Sequence, residues 1–218
     1  MADQERIEPR TETRTESPKP WRSPILWLLL VLVLLGLWAT RQTFRRQFYL
    51  GPDAQPGVGQ LLRHLALEPL TGDPPALTAS DLLGHVTLLN FWGVWCPPCC
   101  EELPHLADLQ KRFAGQTAFR LVAISYPPGG AVGEVPVLWA ETKALLKQQN
   151  LALPTYRDSN NETIRIVDRL IGFHGFPTTV LLDRRGVIRA VWAGYRQGME
   201  DEVGQFVEEI LAETPSKP

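Results

Sequence analysis

All three cysteines of this 218-residue chain fall within five residues, at positions 96, 99 and 100. A disulfide framework spreads its cysteines along the chain, so this clustering points to redox chemistry or to metal. The segment Trp95-Cys96-Pro97-Pro98-Cys99 follows an apolar run and opens a helical pattern. A cysteine at a helix N-terminus faces unsatisfied backbone N–H groups and the positive end of the macrodipole, and both favour the thiolate. Pro97 and Pro98 lose no useful donor at a helix start and stiffen the turn. Cys96 is therefore the expected nucleophile, and Cys99 the more buried resolving thiol. Two bland readings compete, an inert buried pair and half a zinc site. Structural zinc usually takes four ligands, and the chain has no second cysteine pair.

Glu102 lies three residues after Cys99, on the same helical face. A partly buried carboxylate there could take and return the proton of Cys99. The competing reading is an ordinary surface acid favoured by the first-turn dipole. Glu101 points elsewhere. Cys100 is either a packed helix residue or a competing thiol. His64, His85, His105 and His174 are scattered and read as structural or solvent-facing. Trp92 and Trp95 are expected to pack around the site, with Trp95 also offering docking surface.

The elements that must hold these residues alternate between strand and helix. A short hairpin is expected across 64–69 and the region of Leu77, turning at Thr71-Gly72-Asp73-Pro74. Residues 86–92 form a near-continuous apolar run, as a central buried strand requires. A helix is predicted over 98–113, kinked by Pro104. A strand follows at 118–125, a helix at 135–149, a short strand at 154–157 and a helix at 162–170. Residues 178–183 and 187–193 make a hairpin across Arg184-Arg185-Gly186, and 199–212 closes as a helix. The pattern implies a mixed sheet covered by helices.

Upstream, residues 1–23 mix Arg, Glu, Thr and Pro and read as a disordered tail. No charge occurs between Arg22 and Arg41. That gap is about 18 residues, or roughly 27 Å of helix, which fits a bilayer core. Residues 24–40 are thus expected to be a transmembrane anchor. A cleaved signal peptide is the alternative, opposed by the long acid-containing leader and by the poor cleavage site at Leu37-Trp38-Ala39. Arg6, Arg10, Arg14, Lys19 and Arg22 before the span lean towards a cytoplasmic N-terminus, against Arg41, Arg45 and Arg46 after it. Residues 41–60, with several Gly and Pro, read as a linker spanning roughly 25 Å if flexible. The domain is expected at 61–213, with a tail at 214–218. A net charge of −2 and 44% hydrophobic residues point neither to nucleic acid nor to a disordered chain.

Asn90-Phe-Trp-Gly-Val-Trp-Cys-Pro-Pro-Cys99, followed by Glu102-Leu-Pro104, resembles the active-site segment of the TlpA/ResA-like thioredoxin family. Gly175-Phe176-Pro177-Thr178-Thr179, followed by Val-Leu-Leu-Asp183, is similar to that family's cis-proline loop. The resemblance covers roughly residues 60–212. It implies an α/β thioredoxin-like fold with an N-terminal hairpin and an insert near 125–152. It also implies a redox-active disulfide between Cys96 and Cys99, and a cis bond before Pro177. Trp95, Pro97, Phe176 and Pro177 would then meet a substrate. Asn90 stands where cytoplasmic thioredoxins carry a buried acid, as in the ResA-like group.

The leading expectation is a thiol–disulfide oxidoreductase on the outer face of the cytoplasmic membrane, needing neither metal nor other cofactor. No basic residue separates the two cysteines, and Glu101 and Glu102 oppose a thiolate, so the dithiol is expected to be reducing. The resemblance implies electrons from a membrane-embedded carrier of the CcdA kind. It also implies protein disulfides as substrates, apocytochrome c among them. The alternatives are general envelope disulfide exchange, a copper-handling protein using the thiolates with His174, and a binding module with a vestigial site.

Overall fold

The computed structural model describes residues 24–48, 51–130 and 135–213. The tails expected at 1–23 and 214–218 lie outside the described residues. The chain divides into two compact units, Met1–Tyr49 and Leu50–Pro218.

The first unit contains helix α1, Pro24–Phe48. Its large apolar side chains between Trp27 and Trp38 are exposed by 48–66%. Among the described residues no helix is long and apolar enough to cross a membrane. The helix also continues through residues 41–48, where a linker was expected.

The second unit is built on seven strands: β1 Ala66–Thr71, β2 Leu77–Thr78, β3 Val86–Trp92, β4 Phe119–Ser125, β5 Thr155–Arg157, β6 Thr178–Leu182 and β7 Ile188–Ala193. Their order across the sheet is β2-β1-β5-β4-β3-β6-β7. The β3–β4 and β4–β5 pairs are parallel; β3–β6, β6–β7, β1–β5 and β1–β2 are antiparallel. Every residue of β3 is buried, because strands flank it on both sides and helices cover both faces.

The helices of this unit are α2 Pro97–Arg112, α3 Val135–Gln148, α4 Glu162–Ile171 and α5 Met199–Ala212. Side chains alternate along β3. Val86, Leu88 and Trp92 pack with Leu103 and Leu106 of α2 and Val203 and Val207 of α5. Leu89 and Phe91 face the other way, against Val167 and Ile171 of α4. The sheet thus forms a three-layer sandwich, and β3 delivers the chain to α2 at the sheet's centre.

Pro104 does not break α2, which runs as one helix from Pro97 to Arg112. The expected linker also differs from the structure beyond residue 50. Gly59 N–H donates to Ile188 O at 2.8 Å, and Ile188 N–H donates to Gln60 O at 2.9 Å. Leu61 bridges Val187. Gly57 has φ of +85°, and a Cβ there would sit 2.6 Å from Leu170 O. The breakers in this stretch therefore shape a packed corner, not a loose tether.

Candidate active site

Cys96 sits at the N-cap of α2, directly after the turn that leaves β3. It is joined to Cys99 in a disulfide with a Cα–Cα separation of 5.3 Å. Cys99 is fully buried, whereas Cys96 keeps 4% of its surface. The Cys99 N–H donates to Cys96 Sγ at 3.3 Å. A backbone donor thus points at the outer sulfur, as a helix start provides. Pro97 and Pro98 fill the first turn and are exposed.

The peptide bond between Phe176 and Pro177 is cis. Gly194 N–H donates to Pro177 O at 2.8 Å and fixes the loop against the end of β7. Trp95, 39% exposed, meets Phe176 edge-on with ring centroids 5.3 Å apart. Its Nε1–H donates to Tyr126 O at 2.9 Å. Tyr126 and Phe173 back Phe176 at 5.5 and 5.2 Å, so the apolar wall beside the disulfide is continuous. The Tyr126 hydroxyl donates to Asp158 Oδ2 at 2.9 Å. Burial first, and then the Asp158 charge, push that phenol far above its ordinary range.

Glu102 is 2% exposed, on the inner face of α2. Asn90 Nδ2 donates to its Oε2 at 2.8 Å, and Thr179 Oγ1 donates to its Oε1 at 3.0 Å. Burial raises the carboxyl to about 7, and the two hydrogen bonds hold it from going higher. The surface-acid reading of Glu102 is therefore wrong, while Glu101 is exposed. Cys100 is half-buried, and its thiol lies 3.5 Å from Val94 O as donor. Burial pushes that thiol upward, with the charge of Glu101 a lesser cause.

The structure thus brings Cys96, Cys99, Trp95, Pro97, Phe176 and Pro177 to one end of the sheet, with Glu102 buried inside it. His174 is exposed on the loop before Pro177. Among the described residues no group of three His, Cys, Asp or Glu is arranged to hold a metal ion. Sequence reasoning gave no role to Thr179 or Tyr126 and treated Asn90 only as a departure from thioredoxin. A lone amide in the apolar run 86–92 was the available signal for Asn90.

A dithiol–disulfide at the start of a helix, after a central strand and beside a cis-proline, defines the thioredoxin-like class. Residues 58–191, more than half the chain, match the AhpC/TSA family. The thiol-disulfide oxidoreductase ResA of Geobacillus kaustophilus is 30% identical over 76% of this chain and 84% of its own length. The thioredoxin-like protein YneN of Bacillus subtilis is 28% identical over 81% and 91%. A thiol:disulfide interchange protein from Chlorobium tepidum superposes with a TM-score of 0.55 at 25% identity, covering 73% of this chain and 99% of that one. The chain belongs to the AhpC/TSA family, as one of its TlpA/ResA-like thioredoxin members. It is an enzyme of the thiol–disulfide oxidoreductase type.

Proposed function

We propose that this protein reduces protein disulfides outside the cytoplasm, held at the cytoplasmic membrane by residues 24–40. The observation that carries the chemistry is the Cys96–Cys99 pair, with only Cys96 reaching the surface, above the buried carboxyl of Glu102.

The reduced Cys96 thiolate attacks one sulfur of a substrate disulfide. A mixed disulfide forms, and the other substrate sulfur leaves as a thiolate, which takes a proton from water. Glu102, ionised for part of the time near neutral pH, then accepts the proton of Cys99. The Cys99 thiolate attacks Cys96 Sγ and expels the second substrate thiolate, which is protonated in turn. Two electrons pass to the substrate, and the protein is left as the disulfide. A dithiol donor in the membrane, of the CcdA kind, resets it by the reverse exchange. Trp95, Pro97 and Phe176 form the apolar platform beside Cys96 on which a substrate chain docks, with Pro177 at its edge.

The absence of a basic residue between the cysteines and the acids at Glu101 and Glu102 favour a reducing couple. Apocytochrome c before haem attachment is the substrate this reading favours, in keeping with the ResA-like resemblance. The anchor is supported by the uncharged stretch between Arg22 and Arg41 and by the exposed apolar side chains of α1. The test is the equilibrium potential against glutathione, with a C-terminal reporter that is active only after export. A reducing potential and an active reporter are expected. A potential near that of a strong oxidant, roughly −120 mV, overturns the reductant reading, and a silent reporter overturns the location.

A further inference from the structure

The carboxyl of Glu102 is gripped by two side chains from two neighbouring strands. Asn90 on β3 and Thr179 on β6 are direct antiparallel partners. Asn90 Nδ2 spends one hydrogen on Glu102 Oε2 and the other on Thr179 Oγ1, at 2.8 and 2.9 Å. The Thr179 hydroxyl passes its own hydrogen to Glu102 Oε1 at 3.0 Å. All three residues are buried, and Asn90 Oδ1 has no hydrogen-bond partner among the described residues. One amide hydrogen and the hydroxyl hydrogen thus go to the carboxylate, and the second amide hydrogen goes to the hydroxyl that donates to it.

Resting on the oxidoreductase reading above, we propose that Asn90 and Thr179 are positioning residues for the proton transfer: together they hold Glu102 as an acceptor and tie it to the strand that leaves Pro177. A protonated Glu102 would place a further hydrogen between two groups that already donate to it, so the clasp opposes protonation. Burial works the other way, and the balance leaves the carboxyl able to cycle near neutral pH. Thr179 lies two residues beyond Pro177, so the loop that meets substrate and the group that takes the proton share one strand.

The titratable groups around this corner are Cys99, Glu101 and His105 on α2, Tyr195 after β7, and Glu200 on α5. Glu101 is exposed, and His105 Nδ1 lies 3.7 Å from Glu200 Oε1. Tyr195 stacks on His105 with centroids 5.8 Å apart. The Tyr195 phenol is raised first by burial and then by Glu200, Glu102 and Glu101. In the disulfide form, where Cys99 does not titrate, the Glu102 carboxyl is shifted by burial and by its hydrogen bonds to Asn90 and Thr179.

The experiment is a titration of the Glu102 carboxyl carbon by 13C NMR, in the full-length chain in detergent, with the signal assigned by its loss in Glu102→Gln. Thr179→Val keeps the shape and removes the hydroxyl, while Asn90→Leu removes the amide. Each should raise the midpoint by about one pH unit, the usual scale for a hydrogen bond to a charged group. Thr179→Ser should restore it. A wild-type midpoint in Thr179→Val overturns the proposal, and that variant decides alone if Asn90→Leu does not fold. Disulfide exchange is read separately. Loss of Cys96-dependent exchange in the wild type defeats the oxidoreductase reading, whereas an unmoved midpoint in an active enzyme defeats only the clasp.

Discussion

Gln149, just after α3, donates from Nε2 to the carbonyl oxygen of Cys100 at 3.0 Å. The usual helical partner of that oxygen is the N–H of residue 104, and Pro104 has none. A side chain from a neighbouring element thus supplies the missing donor, and α2 runs on through the proline. Gln149→Leu should leave the carbonyl unpaired and cost about 1–2 kcal/mol. Urea unfolding followed by circular dichroism measures the loss. A midpoint equal to that of the wild type means the carbonyl finds water instead.

Cys96 keeps the surface exposure that Cys99 lacks. Cys99→Ser should therefore accumulate mixed disulfides with substrates, and Cys96→Ser should accumulate none. Non-reducing gels of cells expressing each variant report this directly. The opposite pattern would reverse the two roles.

Glu102 makes stability depend on pH with a definite sign. Its folded carboxyl titrates at about 7, above the ordinary value of 4.5, so the fold favours the neutral acid. That contribution is complete below about pH 4.5 and is lost as the pH rises through 7. The loss is on the order of 3 kcal/mol, at 1.36 kcal/mol per unit. Glu102→Gln should flatten the fall of Tm between pH 5 and 8 and slow exchange. An equally steep fall in the variant would assign the slope to other groups.

Cys100 is half-buried, with its thiol pushed upward by burial. It should stay protonated at pH 8 and alkylate more slowly than a free cysteine. Cys100→Ser should leave exchange within about twofold. Mass spectrometry after iodoacetamide treatment of the oxidised protein checks the first statement. Trapped species at Cys100 contradict it.

Much of the fold was legible because local pattern and tertiary role agree. The apolar run at 86–92 is β3 to the residue, and the periodic stretch at 199–212 is α5. The placement of Cys96, Cys99 and Glu102 on one helix was legible because spacing along a helix is a local property. The clasp was not found, since Asn90 and Thr179 are 89 residues apart and meet only through strand pairing. Residues 51–60 misled for the same reason: their Gly and Pro residues signal turns, while Ile188, the partner of Gly59 and Gln60, lies far along the chain. Pro104 was expected to kink the helix, whereas α2 runs through it, and the donor that Gln149 supplies depends on how α3 packs.

The bond from Cys99 N–H to Cys96 Sγ is made in the oxidised protein, where it caps α2. When the disulfide opens and Cys96 becomes a thiolate, this amide is already placed to face a full negative charge. Its hydrogen bond strengthens at the moment the charge appears. The dipole that the charge needs is therefore oriented before any electrons arrive.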